Sequence, residues 1–195
     1  MDCVSFFCLQ QRILENDETA LAELYKLYYQ KLIFFAKSIL RTKELAEEVV
    51  EDVFIKLWCN RLEIVDIKNL NVYLYTAVKN TSLNRLSQQA KQLVSAPFDF
   101  LNIELDNELA NPQELMITAE MMNKMRHAID TLPPRCKMIF RLIREDGLKY
   151  KEVAEILNIS VNAIDVQMAI AVKKICAALH IDKPFKQFPA PVSQK

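Results

Sequence analysis

The chain has 195 residues, a formal net charge of zero at pH 7 and one glycine, Gly147. Phosphate-binding loops and dinucleotide turns need several glycines, so the composition argues against the nucleotide-dependent enzymes built on them. The two histidines and five cysteines have neither the spacing of a zinc site nor that of a disulfide framework. Since no nucleophile, base and oxyanion donor can be assembled either, we expect a protein without catalytic activity, metal, cofactor or small-molecule substrate.

The cysteines are scattered through helical patterns, where they suit small buried side chains in a reducing compartment. The apolar run over residues 4–9 follows no basic leader, and no segment reaches the length of a membrane span, so a cytoplasmic protein is expected. The charge is unevenly distributed, because residues 132–195 carry 11 basic and 6 acidic side chains whereas residues 91–131 carry 3 and 7. A basic C-terminal third suits contact with phosphates.

Three amphipathic helices are predicted in the N-terminal part of the chain. The first begins near Asp17, the second is capped by Thr42, and the third opens at Asn69 or Asn71 and continues to about Ala90. Apolar positions of the first recur along one face: Leu21, Leu24, Tyr28, Leu32 and Ile39. Together the three predict an all-helical domain over residues 1–90.

The second of these helices combines an apolar stripe with an acidic surface. The apolar residues have helical spacing: Val49, Val50, Val53, Phe54 and Leu57. The acidic residues have few cations among them: Glu44, Glu47, Glu48, Glu51 and Asp52. Like charges four residues apart destabilise an isolated helix, so a docking surface for a basic partner is one interpretation. A solvated acidic face is the other.

The third helix interleaves aromatic, amide and basic side chains: Tyr73, Tyr75, Lys79, Asn80, Asn84 and Arg85. Aromatic faces stack on bases, amides contact base edges and cations hold phosphates, which suits a DNA strand melted from its duplex. Tyr75 fits a core position equally well.

Residues 91–111 predict an acidic linker. No Lys or Arg lies between Gln92 and Asn123, and Pro97 and Pro112 interrupt any long helix. A linker of this kind also permits a closed free protein, in which either the face over residues 48–52 or the face over residues 162–167 is hidden.

A second helical domain is expected over residues 112–182, followed by a tail over 183–195. One helix is predicted from about 112 to 130 and another from about 135 to 144, because prolines and the Asp146-Gly147 turn delimit them.

Residues 148–174 have the pattern of a helix-turn-helix. Asn158 tolerates the left-handed backbone that the turn requires, and Ser160 is placed to cap the second helix. Apolar residues share one face on each helix: Val153, Ala154 and Leu157, then Ile164, Met168 and Val172. Such a motif usually lays its second helix in the major groove of DNA, although a helical hairpin that binds nothing has the same pattern.

Taken in order, four segments resemble the extracytoplasmic-function sigma factors of bacterial RNA polymerase, over about Asp17 to Leu179. They are residues 46–58 (AEEVVEDVFIKLW), residues 73–86 (YLYTAVKNTSLNRL), residues 132–140 (LPPRCKMIF) and the helix-turn-helix. Their joint order is more specific than any one of them. The resemblance implies an all-α protein of two small helical domains, sigma domain two and sigma domain four, joined by the acidic linker.

The resemblance also implies three sets of binding residues. Those matching the surface that docks on the clamp helices of core RNA polymerase are Glu48, Glu51, Asp52 and Trp58. Those matching the minus-ten reader are Tyr73, Lys79, Asn80, Asn84 and Arg85, with the loop from Cys59 to Asn69 helping to capture an unstacked base. Those assigned to the minus-thirty-five element are Ser160, Asn162, Asp165, Gln167 and Lys173.

The Val166-Gln167 pair is similar to sigma factors of the Bacteroidetes type. This implies a membrane-associated anti-sigma factor as a partner besides core polymerase and promoter DNA. Two residues depart from the family pattern: Ile170 stands where relatives usually have an Arg available to the DNA backbone, and Lys149 replaces a hydroxyl residue that often caps the first helix of the motif. These changes weaken the expected grip on the DNA phosphates without removing the fold. One lost cationic contact lowers the magnitude of the slope of log affinity against log salt concentration by about one unit, and the strength of minus-thirty-five binding stays open.

Two other functions are compatible with the same elements. A helix-turn-helix regulator with an N-terminal dimerisation or sensing domain would bind operator DNA without polymerase. A helical protein-binding adaptor would bind neither DNA nor polymerase.

Overall fold

The computed structural model describes residues 3–92 and 116–179. Within these ranges the chain forms eight α-helices and one 3-10 helix: α1 (Cys3–Leu14), α2 (Glu18–Leu40), α3 (Lys43–Cys59), the 3-10 helix (Arg61–Asp66), α4 (Leu70–Gln92), α5 (Met116–Asp130), α6 (Pro134–Arg144), α7 (Tyr150–Leu157) and α8 (Val161–Ala178). The predicted all-α class is confirmed. The predicted linker lies outside the described residues apart from its first two, which belong to α4, and so does the predicted tail.

The helix starts predicted in the N-terminal part follow from their capping residues. Asp17 caps α2, since its Oδ1 accepts hydrogen bonds from the backbone N–H groups of Thr19 at 2.9 Å and Ala20 at 3.3 Å. Asn69 opens α4 by accepting from the N–H of Val72 at 3.2 Å. Thr42 precedes α3 as predicted, but its side chain makes no capping hydrogen bond.

Helix α1 was not predicted, because the sequence offers only a short apolar run there. Leu9 and Ile13 are buried in the common core. Gln10 is also buried, and its Nε2 donates to the main-chain oxygens of Ile64 and Ile67, both at 2.9 Å. These long-range bonds attach α1 to the 3-10 helix and its end, and satisfy an amide that would otherwise be costly to bury.

The core of the N-terminal part lies among α2, α3 and α4. All five residues of the apolar stripe predicted on α3 are buried. Tyr75 of α4 is fully buried, and its ring meets that of Phe35 edge-on with centroids 5.2 Å apart. The core alternative for Tyr75 is therefore confirmed.

The C-terminal part is built on α5 to α8. Pro134 occupies the first turn of α6, where its missing N–H costs nothing. The following turn buries Lys137, whose Nζ lies 2.6 Å from Oδ1 of Asp130 at the end of α5. A buried charge is tolerable only when it is paired in this way, so the ion pair fixes α6 against α5.

The predicted helix-turn-helix is present in detail. Helices α7 and α8 meet at 109°, within the range usual for the motif. Asn158 adopts the left-handed conformation, with φ of 53° and ψ of 50°, and the Oγ of Ser160 accepts from the N–H of Ala163 at 3.1 Å. Of the six predicted apolar residues, Leu157 and Val172 are only partly buried and the rest are buried.

Neither described range contains a single helix with the length and apolarity to cross a membrane; α7 and α8 meet that standard only when taken together as a bent pair.

Candidate functional site: polymerase and promoter contacts

The first candidate surface is the outward face of α3. Glu48 and Glu51 are exposed, and Asp52 is partly exposed beside them. Ile55 continues the row one turn further and is 60% exposed. Positions separated by three, four and seven residues share one face of a helix, so these side chains form an acidic surface with one aliphatic residue. We call Glu48, Glu51, Asp52 and Ile55 the α3 face.

Arg85 of α4 lies against this face. Its Nη2 is 3.6 Å from a carboxylate oxygen of Glu48 and 3.6 Å from one of Asp52. Exposed ion pairs of this length contribute little to stability, so the carboxylates stay available to a stronger basic partner. The structure thus places Arg85 beside the predicted polymerase-docking residues, whereas the family resemblance assigned it to the minus-ten element.

Trp58 lies at the end of α3, half-buried against the core. The guanidinium of Arg61 sits 5.1 Å from the centroid of its ring. The ring is therefore held between the core and a cation, adjacent to the α3 face and turned partly inward.

The segment assigned to base capture contains the 3-10 helix over residues 61–66. Two of its apolar side chains are strongly exposed, Leu62 at 73% and Val65 at 44%. Neither residue was predicted from the sequence as part of a site, nor was Ile55. Ile55 lies four residues after Glu51 and three after Asp52, so it shares the acidic side of α3, opposite the buried apolar stripe. This spacing is the feature of the sequence that predicts its exposure.

The structure divides the predicted minus-ten residues among three environments. Asn80 and Asn84 are exposed and share a face of α4 with half-buried Tyr73. Lys79, one residue away from Asn80, points toward α7. Arg85 points toward α3, as described. The three residues Tyr73, Asn80 and Asn84 can therefore contact one ligand together, and the two cations occupy other sides of the helix.

Helix α4 and Asn69, the residue before it, make three polar contacts with α7 and with the turn between α6 and α7. The Nζ of Lys79 donates to the main-chain oxygen of Ile156 at 2.6 Å. The hydroxyl of Tyr75 donates to Oδ2 of Asp146 at 2.7 Å. The Nδ2 of Asn69 donates to Oε1 of Glu152 at 2.7 Å. We call these three contacts the α4–α7 clasp: Asn69–Glu152, Tyr75–Asp146 and Lys79–Ile156.

Helix α2 adds a second line of contact with α6. The guanidinium of Arg141 lies 3.9 Å from the ring centroid of Phe34, and the hydroxyl of Ser38 lies 3.6 Å from the sulfur of Met138. The described parts of the chain are therefore closed on each other.

This closure differs from the form that was expected. Neither the α3 face nor the face over residues 162–167 is covered by the other part of the chain. Their polar residues are exposed or partly exposed, and half-buried Gln167 contacts Cys136 of α6 within the C-terminal part. The covered surface is the side of α4 that contains Tyr75 and Lys79. The expectation failed because it considered only charged and amide-rich faces as possible contacts, whereas the clasp pairs isolated polar groups around a buried tyrosine.

Closure changes the acidity of the groups that it buries. Burial raises the pKa of Asp146 to about 6, although the Tyr75 hydroxyl and the Lys31 ammonium act in the opposite direction. Burial, followed by the charge of Asp146, raises the pKa of Tyr75 well above its usual range, so its hydroxyl remains the donor.

The predicted minus-thirty-five residues lie along α8. Asn162, Asp165 and Lys173 are exposed, and Ser160 is exposed while it caps the helix. Gln167 differs: it is half-buried, and its Oε1 accepts from the thiol of Cys136 at 2.8 Å. Its amide is therefore engaged with α6, whereas the others face outward.

The two departures from the family pattern have different structural consequences. Lys149 has no acceptor for capping α7, but its own N–H donates to Oε2 of Glu152 at 2.8 Å, which supplies half of a capping box. Ile170 is 37% exposed on the outward side of α8, where it offers DNA no charge.

Residues 24–92 match the family model described as Sigma-70 region 2, and residues 122–175 match the model described as Sigma-70, region 4. The chain is 26% identical over 164 residues to the ECF RNA polymerase sigma-E factor of Escherichia coli (strain K12), covering 80% of this chain and 84% of that protein. It is 22% identical over 167 residues to the ECF RNA polymerase sigma factor SigW of Bacillus subtilis (strain 168), covering 81% and 88%.

Two solved structures share the fold. The sigma factor RpoE from Bartonella quintana, solved in complex with the anti-sigma factor NepR, is similar with a TM-score of 0.57 and 18% identity, over 83% of this chain and 98% of that one. CnrH, solved in complex with the cytosolic domain of CnrY, is similar with a TM-score of 0.53 and 16% identity, over 91% and 98%. With sigma-70 region 2 containing the acidic α3 and region 4 containing the helix-turn-helix, the chain belongs to the extracytoplasmic-function sigma factors of bacterial RNA polymerase.

Proposed function

We propose that the protein docks on core RNA polymerase through the α3 face, opens the minus-ten element with α4 and reads the minus-thirty-five element with α8. The observation that carries this proposal is the presence, on one chain, of an outward acidic helix and a capped helix-turn-helix in the order of sigma-70 regions 2 and 4. The protein has no catalytic role of its own, because the polymerase supplies the chemistry, and it acts in the cytoplasm where that enzyme works.

The docking step relies on charge and a small apolar contact. Glu48, Glu51 and Asp52 offer carboxylates to a basic surface, and Ile55 offers an aliphatic side chain among them. A charged rim around an apolar contact is typical of specific protein interfaces. Trp58 supports the end of this surface from its half-buried position.

Strand opening relies on the outward face of α4. Tyr73 supplies an aromatic ring for stacking, and Asn80 and Asn84 supply amides for base edges. These three side chains share a face, which favours their use on one unstacked segment. The resting protein keeps the neighbouring Lys79 engaged in the α4–α7 clasp.

We further propose that the closed form is the resting state and that an anti-sigma factor controls its opening. Support comes from the clasp, which occupies Asn69 and Lys79 beside the promoter-reading face, and from the relative solved with an anti-sigma factor. Membership of the Bacteroidetes type, with a membrane-associated anti-sigma factor, rests on the Val166-Gln167 pair.

The decisive experiment mixes the purified chain with core RNA polymerase on a library of bacterial promoters and measures promoter-directed transcripts. We expect defined start sites that depend on both components. DNA binding at operator sites without polymerase would favour the regulator alternative, and the absence of binding to DNA and polymerase would favour the adaptor alternative. Either result would overturn the proposed function.

A further inference from the structure

The outward side of α8 contains aliphatic side chains where DNA contacts are expected. Val166 is 57% exposed. Asn162 lies four residues before it and Ile170 four residues after it, so the three form one row along the helix. The opposite side supplies the core with four residues: Ile164, Met168, Ala171 and Ile175. Val166 therefore has little part in packing, and its exposure needs another explanation.

An exposed valine can recognise only an apolar group. The major-groove edges of the base pairs present donors and acceptors, with one exception, the C5-methyl group of thymine. An asparagine one turn away suits the N6 and N7 positions of adenine. Asn162 and Val166 together therefore fit A·T pairs, one through the purine and the other through the thymine methyl.

The charges around the motif favour DNA over a protein as the occupant of this row. Exposed cations lie at the start of α7 and in the second half of α8: Lys149, Lys151, Lys173 and Lys174. A polyanion can engage cations on both helices at once, with α8 between its phosphates. Val166 lies in the second turn of α8, near the end that recognition helices present to base edges. Ile170 lies a turn further along the same row and is 37% exposed.

We propose that Val166 reads the C5-methyl group of a thymine in the upstream promoter element, next to an adenine contact made by Asn162. This inference rests on the proposed function, and it names a specificity determinant within it. It predicts that the upstream element contains at least one thymine whose methyl group is needed for full promoter occupancy.

The test removes the methyl group and the valine separately and together. Holoenzyme containing the full chain first selects an upstream element from a randomised library. Each thymine of that element is then replaced by deoxyuridine, which lacks only the methyl group, and promoter occupancy is measured with wild-type protein and with Val166→Ser. Met125→Ser on α5 is the matched control, because Met125 is also an exposed apolar residue.

We expect one deoxyuridine substitution to weaken promoter occupancy by wild-type holoenzyme about fourfold. This factor corresponds to about 0.8 kcal/mol, the free energy gained by burying one methyl group. Val166→Ser should abolish this effect at that position alone, and Met125→Ser should retain it. If transcription continues but deoxyuridine weakens promoter occupancy equally for wild type and Val166→Ser, the inference is overturned. It would also be overturned if Val166→Ser released core polymerase instead, since that result identifies a protein contact. Failure of all variants to transcribe would indicate failure of the proposed function itself.

Discussion

The ammonium of Lys79 lies 2.6 Å from the main-chain oxygen of Ile156, in the last turn of α7. Carbonyl groups in the last turn of a helix lack partners within that helix and bear partial negative charge, so a cation is favourable there. The resemblance to the sigma factor family assigns the same lysine to promoter DNA. On that assignment, closure of the free protein and engagement of the promoter compete for one side chain.

Replacing Lys79 with alanine should open the protein. The carbonyl of Ile156 loses a charged donor, which costs roughly 1–3 kcal/mol at a site of this kind. We expect a larger radius of gyration by small-angle X-ray scattering, with an unchanged helical circular dichroism spectrum. Lys26→Ala is the control, since Lys26 is an exposed lysine on α2. Identical scattering from both variants would contradict a contribution of Lys79 to closure.

Closure should weaken as the pH rises from about 4 to about 6. The closed form raises the pKa of Asp146 to about 6, mainly by burial, with Glu145 acting in the same direction and Tyr75, Lys31 and Arg141 acting against it. In an open form the carboxyl group meets water, and its pKa returns toward about 4. Between about pH 4 and about 6 the closed form therefore binds more protons than the open form. Rising pH removes the free-energy advantage that this protonation gives to the closed form.

The pKa of Asp146 differs by about two units between the closed and open forms, so the equilibrium constant for closure should change by roughly two orders of magnitude across this pH range. Asp146→Asn keeps an acceptor for the Tyr75 hydroxyl and has no proton to lose, so it should stay compact across the range. Scattering measured from pH 4 to 7 tests this, with Asp66→Asn as an exposed control that keeps the wild-type response. A pH response in Asp146→Asn equal to that of wild type would assign it to other groups.

Charge reversal on the α3 face should release core polymerase. Glu51→Lys is the most informative change, because Arg85 pairs with Glu48 and Asp52 and those ion pairs stay intact. We expect at least a tenfold loss of affinity for core polymerase, equivalent to about 1.4 kcal/mol. The unfolding free energy should change by less than about 0.5 kcal/mol, as is usual for exposed positions. Pull-down and thermal melting measure the two quantities.

Glu155→Lys on α7 is the matched reversal away from this face, and it should bind polymerase like the wild type. Ile55→Ser should weaken binding without any change of charge. Full binding by both Glu51→Lys and Ile55→Ser would remove the α3 face from the interface.

Asn80→Ala should impair promoter opening more than polymerase binding. Asn80 is exposed and outside the clasp, so its loss alters neither closure nor packing. A base-edge contact contributes roughly 1–3 kcal/mol of discrimination, which predicts at least a fivefold decrease in open complexes at limiting holoenzyme. Permanganate reactivity of unpaired thymines measures opening. Gln88→Ala removes another exposed amide from the same helix and should open promoters normally; an equal decrease in both variants would refute a specific role for Asn80.

Local chemistry was sufficient to predict several elements from the sequence. Asp17 has a side-chain acceptor directly before an amphipathic pattern, and it caps α2 as predicted. Asn158 and Ser160 each have a backbone preference that the turn and the cap require, and both adopt it. These predictions succeeded because each depends on residues within a few positions of each other.

Closure could not be predicted in the same way. Asn69 and Glu152 are 83 residues apart, and an exposed amide or carboxylate has no pattern that distinguishes a protein partner from DNA or water. Lys79 illustrates the problem, since a cation on a promoter-reading helix equally suits a phosphate and a helix carboxyl end. Helix α1 was missed for a related reason: the acceptors of Gln10 lie more than 50 residues away.

Glu152 uses its two oxygens for different tasks. Oε2 accepts from the N–H of Lys149 at the start of α7, and Oε1 accepts from Asn69, the residue before α4. When the two parts separate, only the second bond breaks, and the first turn of α7 keeps its partner. The recognition motif therefore leaves the closed form already folded. Release becomes a rigid-body displacement, of the kind that takes microseconds to milliseconds, and no slower refolding step delays the search for a promoter.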